Sequence, residues 1–195
     1  NPSQTVFVIL ESLPIKDGKL SDLIGRKDIY CYAVKRDDSD DPPFFLINLK
    51  KFRLCLTAYT LKSSSGISAL RSWNLEGSND GKNWTLLRRH KKDNSLHGYW
   101  IDTYFAKTWK LKKVNDFYSY FRVIMTGTNG RNNWSLHCSG MEIYGDLMKE
   151  SISLQSDATI INYGNISSLG AIQTYKCKKF ENFGNIQSAQ VNVQC

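Results

Sequence analysis

The sequence predicts an all-β protein: a sandwich or barrel of short strands over most of the chain, then the first coils of a β-solenoid. Three observations carry this reading. Apolar residues come in short alternating or continuous runs separated by Gly, Asn, Asp, Ser and Pro, the pattern of strands and tight turns. Hardly any stretch reads as a helix; residues 17–25 have room for one short turn, with Asp17 or Ser21 as its cap. In the tail, Asn162-Tyr163-Gly164-Asn165-Ile166 returns as Asn182-Phe183-Gly184-Asn185-Ile186 at an offset of twenty residues.

The expected strands follow in order. Residues 29–34 are rich in β-branched and aromatic types, and an acidic, proline-ended loop follows over 37–43. Residues 44–49 form a continuous apolar run, as expected of a central strand buried on both faces. A strand over 54–62 leads into a loop at Ser63-Ser64-Ser65-Gly66. Residues 70–77 alternate, with Leu70, Trp73 and Leu75 expected to face the core. Residues 78–83 form a turn whose Asp80-Gly81 pair suits positive φ, and a strand over 84–87 follows it. Strands over 121–126 and 141–144 close the set, with a polar loop over 127–134 between them.

After Gly145 the aromatics thin out and Asn, Gln, Ile and Gly take over. Ser168 aligns with Ser188, Ala171 with Val191, and Ile172 falls beside Val193. A period of about twenty suits stacked parallel coils, in which like residues, Asn included, repeat along a ladder. A pair of hairpins with chance similarity is the alternative. The expected division is a sandwich over 1–147 and a partial solenoid over 148–195.

Composition narrows function. The chain has 195 residues, 41% hydrophobic and 23% charged, so it reads as globular. Its +8 formal charge favours acidic partners without choosing among them. The basic clusters Arg88-Arg89-His90-Lys91-Lys92 and Lys107 to Lys113 read as solvated loop or edge strand. They are too dispersed to claim a nucleic-acid surface. Val6 to Leu10 is too short for a signal core or a membrane span. The abrupt start and stop suggest a part of a larger chain. Five cysteines without CxxC spacing read as thiols in a reducing compartment, hence a cytoplasmic setting, although a Cys31–Cys138 bridge stays open. Sequons at Asn83, Asn133 and Asn165 keep a cell-surface setting as the alternative.

One string is specific enough to suggest a family. Ala58-Tyr59-Thr60-Leu61-Lys62, then Leu70-Arg71-Ser72-Trp73-Asn74-Leu75-Glu76-Gly77-Ser78-Asn79-Asp80-Gly81-Lys82-Asn83-Trp84-Thr85-Leu86, resembles the discoidin-like domains (coagulation factor V/VIII C-type, galactose-binding-like) of large intracellular HECT-type ubiquitin ligases and BTB-domain proteins. Tyr120-Phe121-Arg122-Val123 and Leu136-His137-Cys138-Ser139-Gly140-Met141-Glu142-Ile143-Tyr144-Gly145 extend the likeness, which covers residues 20–146. It implies a jelly-roll β-sandwich that binds ligands, whether glycan, phospholipid or protein, with loops at one end. No Cys pair here brackets the domain, unlike in many secreted relatives.

Chemistry for an enzyme is missing from the sequence. Of three histidines, His90 lies in a basic run that would depress its pKa and suits a solvated loop, His97 suits a long surface loop, and His137 adjoins Cys138 with the two expected on opposite faces. No HExxH, GxSxG, P-loop or CxxC occurs. The Glu76–Gly81 segment lacks the carboxylate spacing of a calcium loop, so neither metal nor cofactor is expected. Trp73 and Trp84 read as packing residues. The expected function is non-catalytic binding, of protein first and carbohydrate second, within a larger scaffold. The expected ligand end comprises Lys62, Arg71, Arg131, Asn133 and Trp134. Asn132-Asn133 as a mere turn, with Trp134 plugging the barrel end, is the competing reading.

Overall fold

Among the described residues of a computed structural model, eighteen strands and one short 3-10 turn, Leu20–Ile24, are seen. It describes residues 9–12, 14–24, 28, 31–35, 40–99, 104–112 and 116–149, and beyond these the backbone of the tail strands alone. The chain divides into two compact units: Asn1–Lys50 with Cys55–Asp146, and Lys51–Leu54 with Leu147–Cys195.

The first unit is built from β1 (Ile9–Ser12), β2 (Ile15–Asp17), β3 (Tyr32–Val34), β4 (Phe44–Asn48), β5 (Phe52–Lys62), β6 (Trp73–Ser78), β7 (Thr85–His90), β8 (Ala106–Lys110), β9 (Tyr120–Met125), β10 (Ser135–His137) and β11 (Gly140–Lys149). A five-stranded antiparallel sheet has the order β1-β4-β9-β6-β7. The sheets β11-β5-β8 and β10-β3-β2 complete the sandwich.

Period-two burial decides which side chains meet. In β9, Phe121, Val123 and Met125 are buried while Tyr120, Arg122 and Ile124 are half-exposed. Phe45, Ile47 and even Leu46 are buried in β4, as expected of a strand flanked on both sides. The core centres on Trp73, fully buried and stacked on His90 at 3.9 Å, with Tyr59 stacked on Trp109 at 5.1 Å.

Several boundaries differ from the sequence expectation. The predicted strand over 84–87 runs on to His90, pairing with β6 through a register shift between Leu75 and Glu76. Both basic clusters contribute to edge strands, β7 and β8, where charge discourages pairing with other chains. His90 is not in a solvated loop: the end of β7 turns it inward against Trp73, and it is 5% exposed. Strands β1, β2 and β10 were not expected, because three or four residues without a turn signal leave little trace in a sequence. Residues 29–30 of the expected 29–34 strand and 37–39 of the expected 37–43 loop lie outside the described residues.

The 78–83 turn is organised by one carboxylate. Asp80 accepts the backbone N–H groups of Asn83 and Lys82 at 2.7 and 2.8 Å, which holds it well below the usual carboxylate range. Gly81 has φ of +70°, a conformation in which a β-carbon is strained. Beside this turn, Arg122 lies 4.0 Å from the Trp84 ring and pairs with Glu76 at 2.7 Å, which accounts for Trp84 as packing.

Cys31, Cys55 and Cys138 are buried thiols. Cys138 donates its backbone N–H to the Cys31 carbonyl at 3.0 Å, yet no disulfide joins them. Burial pushes the Cys138 thiol up to about 12.

The second unit carries parallel ladders of β12 (Ile152–Gln155), β13 (Thr159–Asn162), β14 (Ile166–Ser167), β15 (Ala171–Tyr175), β16 (Lys179–Asn182), β17 (Ile186–Gln187) and β18 (Gln190–Val193). Ile152 faces Ile172, Asn162 faces Asn182 and Ile166 faces Ile186, the twenty-residue offset of a solenoid. One part of the expected register is corrected. Ala171 faces Gln190, not Val191, and Ile172 faces Val191, not Val193, so the last ladder runs at an offset of nineteen. The shift keeps Ile172 opposite a β-branched residue. Residues 163–165, 168, 183–185 and 188 of the repeat lie outside the described residues.

Candidate functional site

Three loops meet at one end of the sandwich: 63–72 between β5 and β6, the described residues 91–99 between β7 and β8, and 126–134 between β9 and β10. Backbone hydrogen bonds tie them together. Asp93 donates to the Arg71 carbonyl at 2.7 Å, Gly98 to Gly66 at 3.1 Å, Gly130 to Ala69 at 3.0 Å, and Thr126 to Ser72 at 3.0 Å. Leu96, 1% exposed, pins the middle loop into the core. Gly130 is required by this closeness: a β-carbon there would stand 2.3 Å from the Ile67 carbonyl oxygen.

Between the first two loops lies an open cleft of about 440 Å³ lined by Arg71, Asn94, His97 and Tyr99. Tyr99 is 88% exposed, with its ring perpendicular to that of His97 at 6.3 Å. The cleft thus combines an aromatic face, planar hydrogen-bonding groups and a guanidinium, the elements of a polar-ligand site.

The third loop is organised by Asn129, 1% exposed. Its Nδ2 donates to the Ser135 carbonyl and hydroxyl, both at 3.0 Å, and its Oδ1 accepts the N–H of Arg131 at 2.9 Å. Its own N–H donates to the Asn133 carbonyl at 3.0 Å. Asn132 takes φ of +59°, tolerable for Asn. Asn129→Ala is expected to cost about 1–3 kcal/mol from the unsatisfied groups it leaves. It should also speed hydrogen exchange at the Arg131 and Asn133 amides; unchanged exchange there would count against this hub.

The five residues expected at the ligand end are not all brought together. Arg71 lines the cleft. Arg131, Asn133 and Trp134 sit exposed on the third loop, Trp134 at 39%. The Asn133 side chain is used locally, accepting from the Ser135 hydroxyl at 2.6 Å. Lys62, at the end of β5, is ion-paired with Asp28 and does not line the cleft. Asn94, His97 and Tyr99 were missed as a group; the only signal was an exposed-type aromatic beside Gly98 in a long loop.

A largely buried hydrogen-bonded relay lies beside the cleft loops. Tyr59 Oη lies 2.6 Å from His90 Nε2 and accepts the Trp73 indole N–H at 3.3 Å, while His90 Nδ1 is 2.6 Å from Asp93. With the proton on Nδ1 towards Asp93, His90 accepts from Tyr59 and every group is satisfied. Burial depresses the His90 pKa, with the Arg88 charge a lesser cause, and raises that of Tyr59 above the ordinary range. Tyr59 and Trp73 have no exposed surface and His90 is 5% exposed, so the relay is part of the core packing, with Asp93 at its half-exposed end. Among the described residues no three His, Cys, Asp or Glu side chains gather as metal ligands. Among them too, no helix is long and apolar enough to cross a membrane.

No family model matches the chain. The sandwich aligns with the CBM32-3 module from a family 31 glycoside hydrolase of Clostridium perfringens at a TM-score of 0.50 and 18% identity, covering 70% of this chain and 91% of that one. A second Clostridium perfringens module, solved with GalNAc-β-1,3-galactose, aligns at 0.51 and 13% identity over 71% of this chain and 94% of that one. This is the discoidin-like, galactose-binding-like sandwich. In sequence, the chain is 36% identical over 154 residues to the E3 ubiquitin-protein ligase Ufd4 of Drosophila melanogaster, covering 74% of the chain. It is 35% identical over 138 residues to the E3 ubiquitin-protein ligase hecd-1 of Caenorhabditis elegans, covering 67%. A BTB/POZ domain-containing protein of Arabidopsis thaliana is 26% identical over 116 residues, covering 57% of this chain and 14% of that protein. The chain spans 5% of the length of each ligase.

Proposed function

We propose that the discoidin-like unit, residues 1–147, is a non-catalytic recognition module of a larger protein and binds a protein ligand with its three-loop end, while residues 148–195 begin a separate coil stack. The observation that carries this is the set of half-buried Arg71 with exposed Tyr99, Arg131 and Trp134, on loops tied to the sandwich by backbone hydrogen bonds. Arg, Tyr and Trp dominate interface hot spots, and loops on a fixed scaffold are where binding residues gather. Similarity to ubiquitin ligases over most of the chain supports a place in a protein-handling assembly.

Carbohydrate is the second reading. The open cleft sets the Tyr99 ring beside Arg71 and Asn94, a pairing suited to a sugar ring and its hydroxyls, and the fold neighbours are named as carbohydrate-binding modules. A cytoplasmic setting fits the adjacent unbridged Cys31 and Cys138; a cell-surface setting would instead be marked by glycan at Asn83 or Asn133.

The test is affinity capture with the 195-residue chain from native and enzymatically deglycosylated extract. Capture that survives deglycosylation and falls at least about tenfold in Tyr99→Ala and in Arg131→Ala with Trp134→Ala, the loss of a hot spot, supports protein recognition. Capture abolished by deglycosylation makes the module a lectin. Capture indifferent to all three substitutions sinks the loop-end site.

A further inference from the structure

Arg71 is the unusual residue of the cleft. Its Nε–H is buried and has no hydrogen-bond partner among the described residues. The carboxylate closest along the loop, Asp93, is already used: one oxygen faces His90 at 2.6 Å and the other accepts the Ser95 N–H at 2.8 Å. Among the described residues nothing neutralises the Arg71 guanidinium, in contrast to Arg122 with Glu76 and Lys62 with Asp28. A half-buried cation without a counter-charge is costly to hold, and the cost is recovered when an anion arrives.

The anion's type follows from the lining. One guanidinium presents two parallel N–H groups that match a carboxylate fork. A phosphate dianion calls for further cations, and Asn94, His97 and Tyr99 supply no permanent one. The Tyr99 ring, 88% exposed, offers an apolar face for the group that bears the carboxylate, and Asn94 offers both a donor and an acceptor for an adjoining amide. We propose that the Arg71–Asn94–His97–Tyr99 cleft takes the carboxylate of a peptide ligand, either an acidic side chain or a free C-terminus, in a bidentate bond to Arg71. The inference rests on the reading of the loop end as the binding site and adds the chemistry of what enters it. The +8 charge of the chain steers an acidic peptide towards it.

The experiment follows the Arg71 side-chain Nε–H resonance by NMR in the whole chain. The probes are acetyl-trialanine with a free C-terminus, the same peptide amidated, an amidated acetyl-Ala-Glu-Ala, galactose and inorganic phosphate. A carboxylate-bearing peptide is expected to shift Arg71 and to bind about tenfold tighter than the neutral amide, the scale of a lost charge-assisted hydrogen bond. The free C-terminus and the glutamyl peptide tell the two sources apart. Arg71→Gln should erase the preference and Arg71→Lys should keep only part of it, since the charge stays and the fork goes. The wild-type resonance gives the answer even where a variant folds badly.

Equal response to the amide or to galactose, response to phosphate alone, or a preference that survives Arg71→Gln overturns the proposal. If galactose shifts Tyr99 while the carboxylates do not, the carboxylate falls and the loop-end site stands. If no probe moves a lining residue and capture ignores Tyr99 and Arg131, both fall.

Discussion

Trp73→Ala is expected to remove about 3–5 kcal/mol of folding stability, out of the roughly 5–15 kcal/mol a domain possesses. Among the described residues Trp73 is the largest fully buried side chain. Its loss opens a cavity under the stacked His90 ring and leaves Tyr59 Oη without the indole donor at 3.3 Å. Trp73→Phe keeps an aromatic face and loses the N–H, so its cost should be nearer about 1 kcal/mol plus a small packing term. Urea unfolding followed by circular dichroism orders the two. If the alanine variant unfolds within about 1 kcal/mol of wild type, Trp73 does not hold the core together and the energetic centre of the sandwich lies elsewhere.

Mild acid is expected to destabilise the sandwich through two buried imidazoles. His137, stacked on Tyr32 at 4.7 Å and within 3.0 Å of the Ser135 hydroxyl, is pushed by burial from 6.5 down to about 4, with the Arg131 charge adding to the effect. His90 is depressed in the same direction, again mainly by burial. For a group whose folded pKa lies below its unfolded one, the unfolded chain takes the proton first. Stability is therefore complete above pH 6.5 and drains away as pH falls towards about 4. His137 alone accounts for on the order of 3 kcal/mol across that window. Urea midpoints measured from neutral pH downward should fall over this range, and His137→Asn should flatten the slope. A midpoint constant from neutrality to about pH 4 would show that neither imidazole titrates out of place.

The sandwich was legible because its long strands obey period two and its 78–83 turn carries Asp80-Gly81, whose backbone demand is local. The coil stack was legible because Asn162 and Ile166 recur at Asn182 and Ile186, opposite which they pair. What escaped was set by tertiary position. Basic neighbours suggested a solvated His90, yet the strand end and the flat face of Trp73 buried it. The one-residue change in the last ladder escaped because apolar alternation fits Ile172 against either Val191 or Val193. The cleft escaped for a different reason. Arg71 and Tyr99 are brought to one place only by Gly98 bonding Gly66 and Asp93 bonding Arg71, long-range pairings that leave no local periodicity. Lys62 looked like a ligand group because nothing in the sequence revealed its partner, Asp28.

The buried thiols have a practical meaning. A sulfhydryl whose ionisation is displaced to about 12 is almost entirely un-ionised at neutral pH, and Cys138 is only 4% exposed. An alkylating reagent therefore reaches it through transient opening of the strands around β10 and β11, not through the native surface. The rate of its modification is a stopwatch for that opening. The protein carries this reporter without a dye or an engineered tag, and can be timed with it while a ligand occupies the loops.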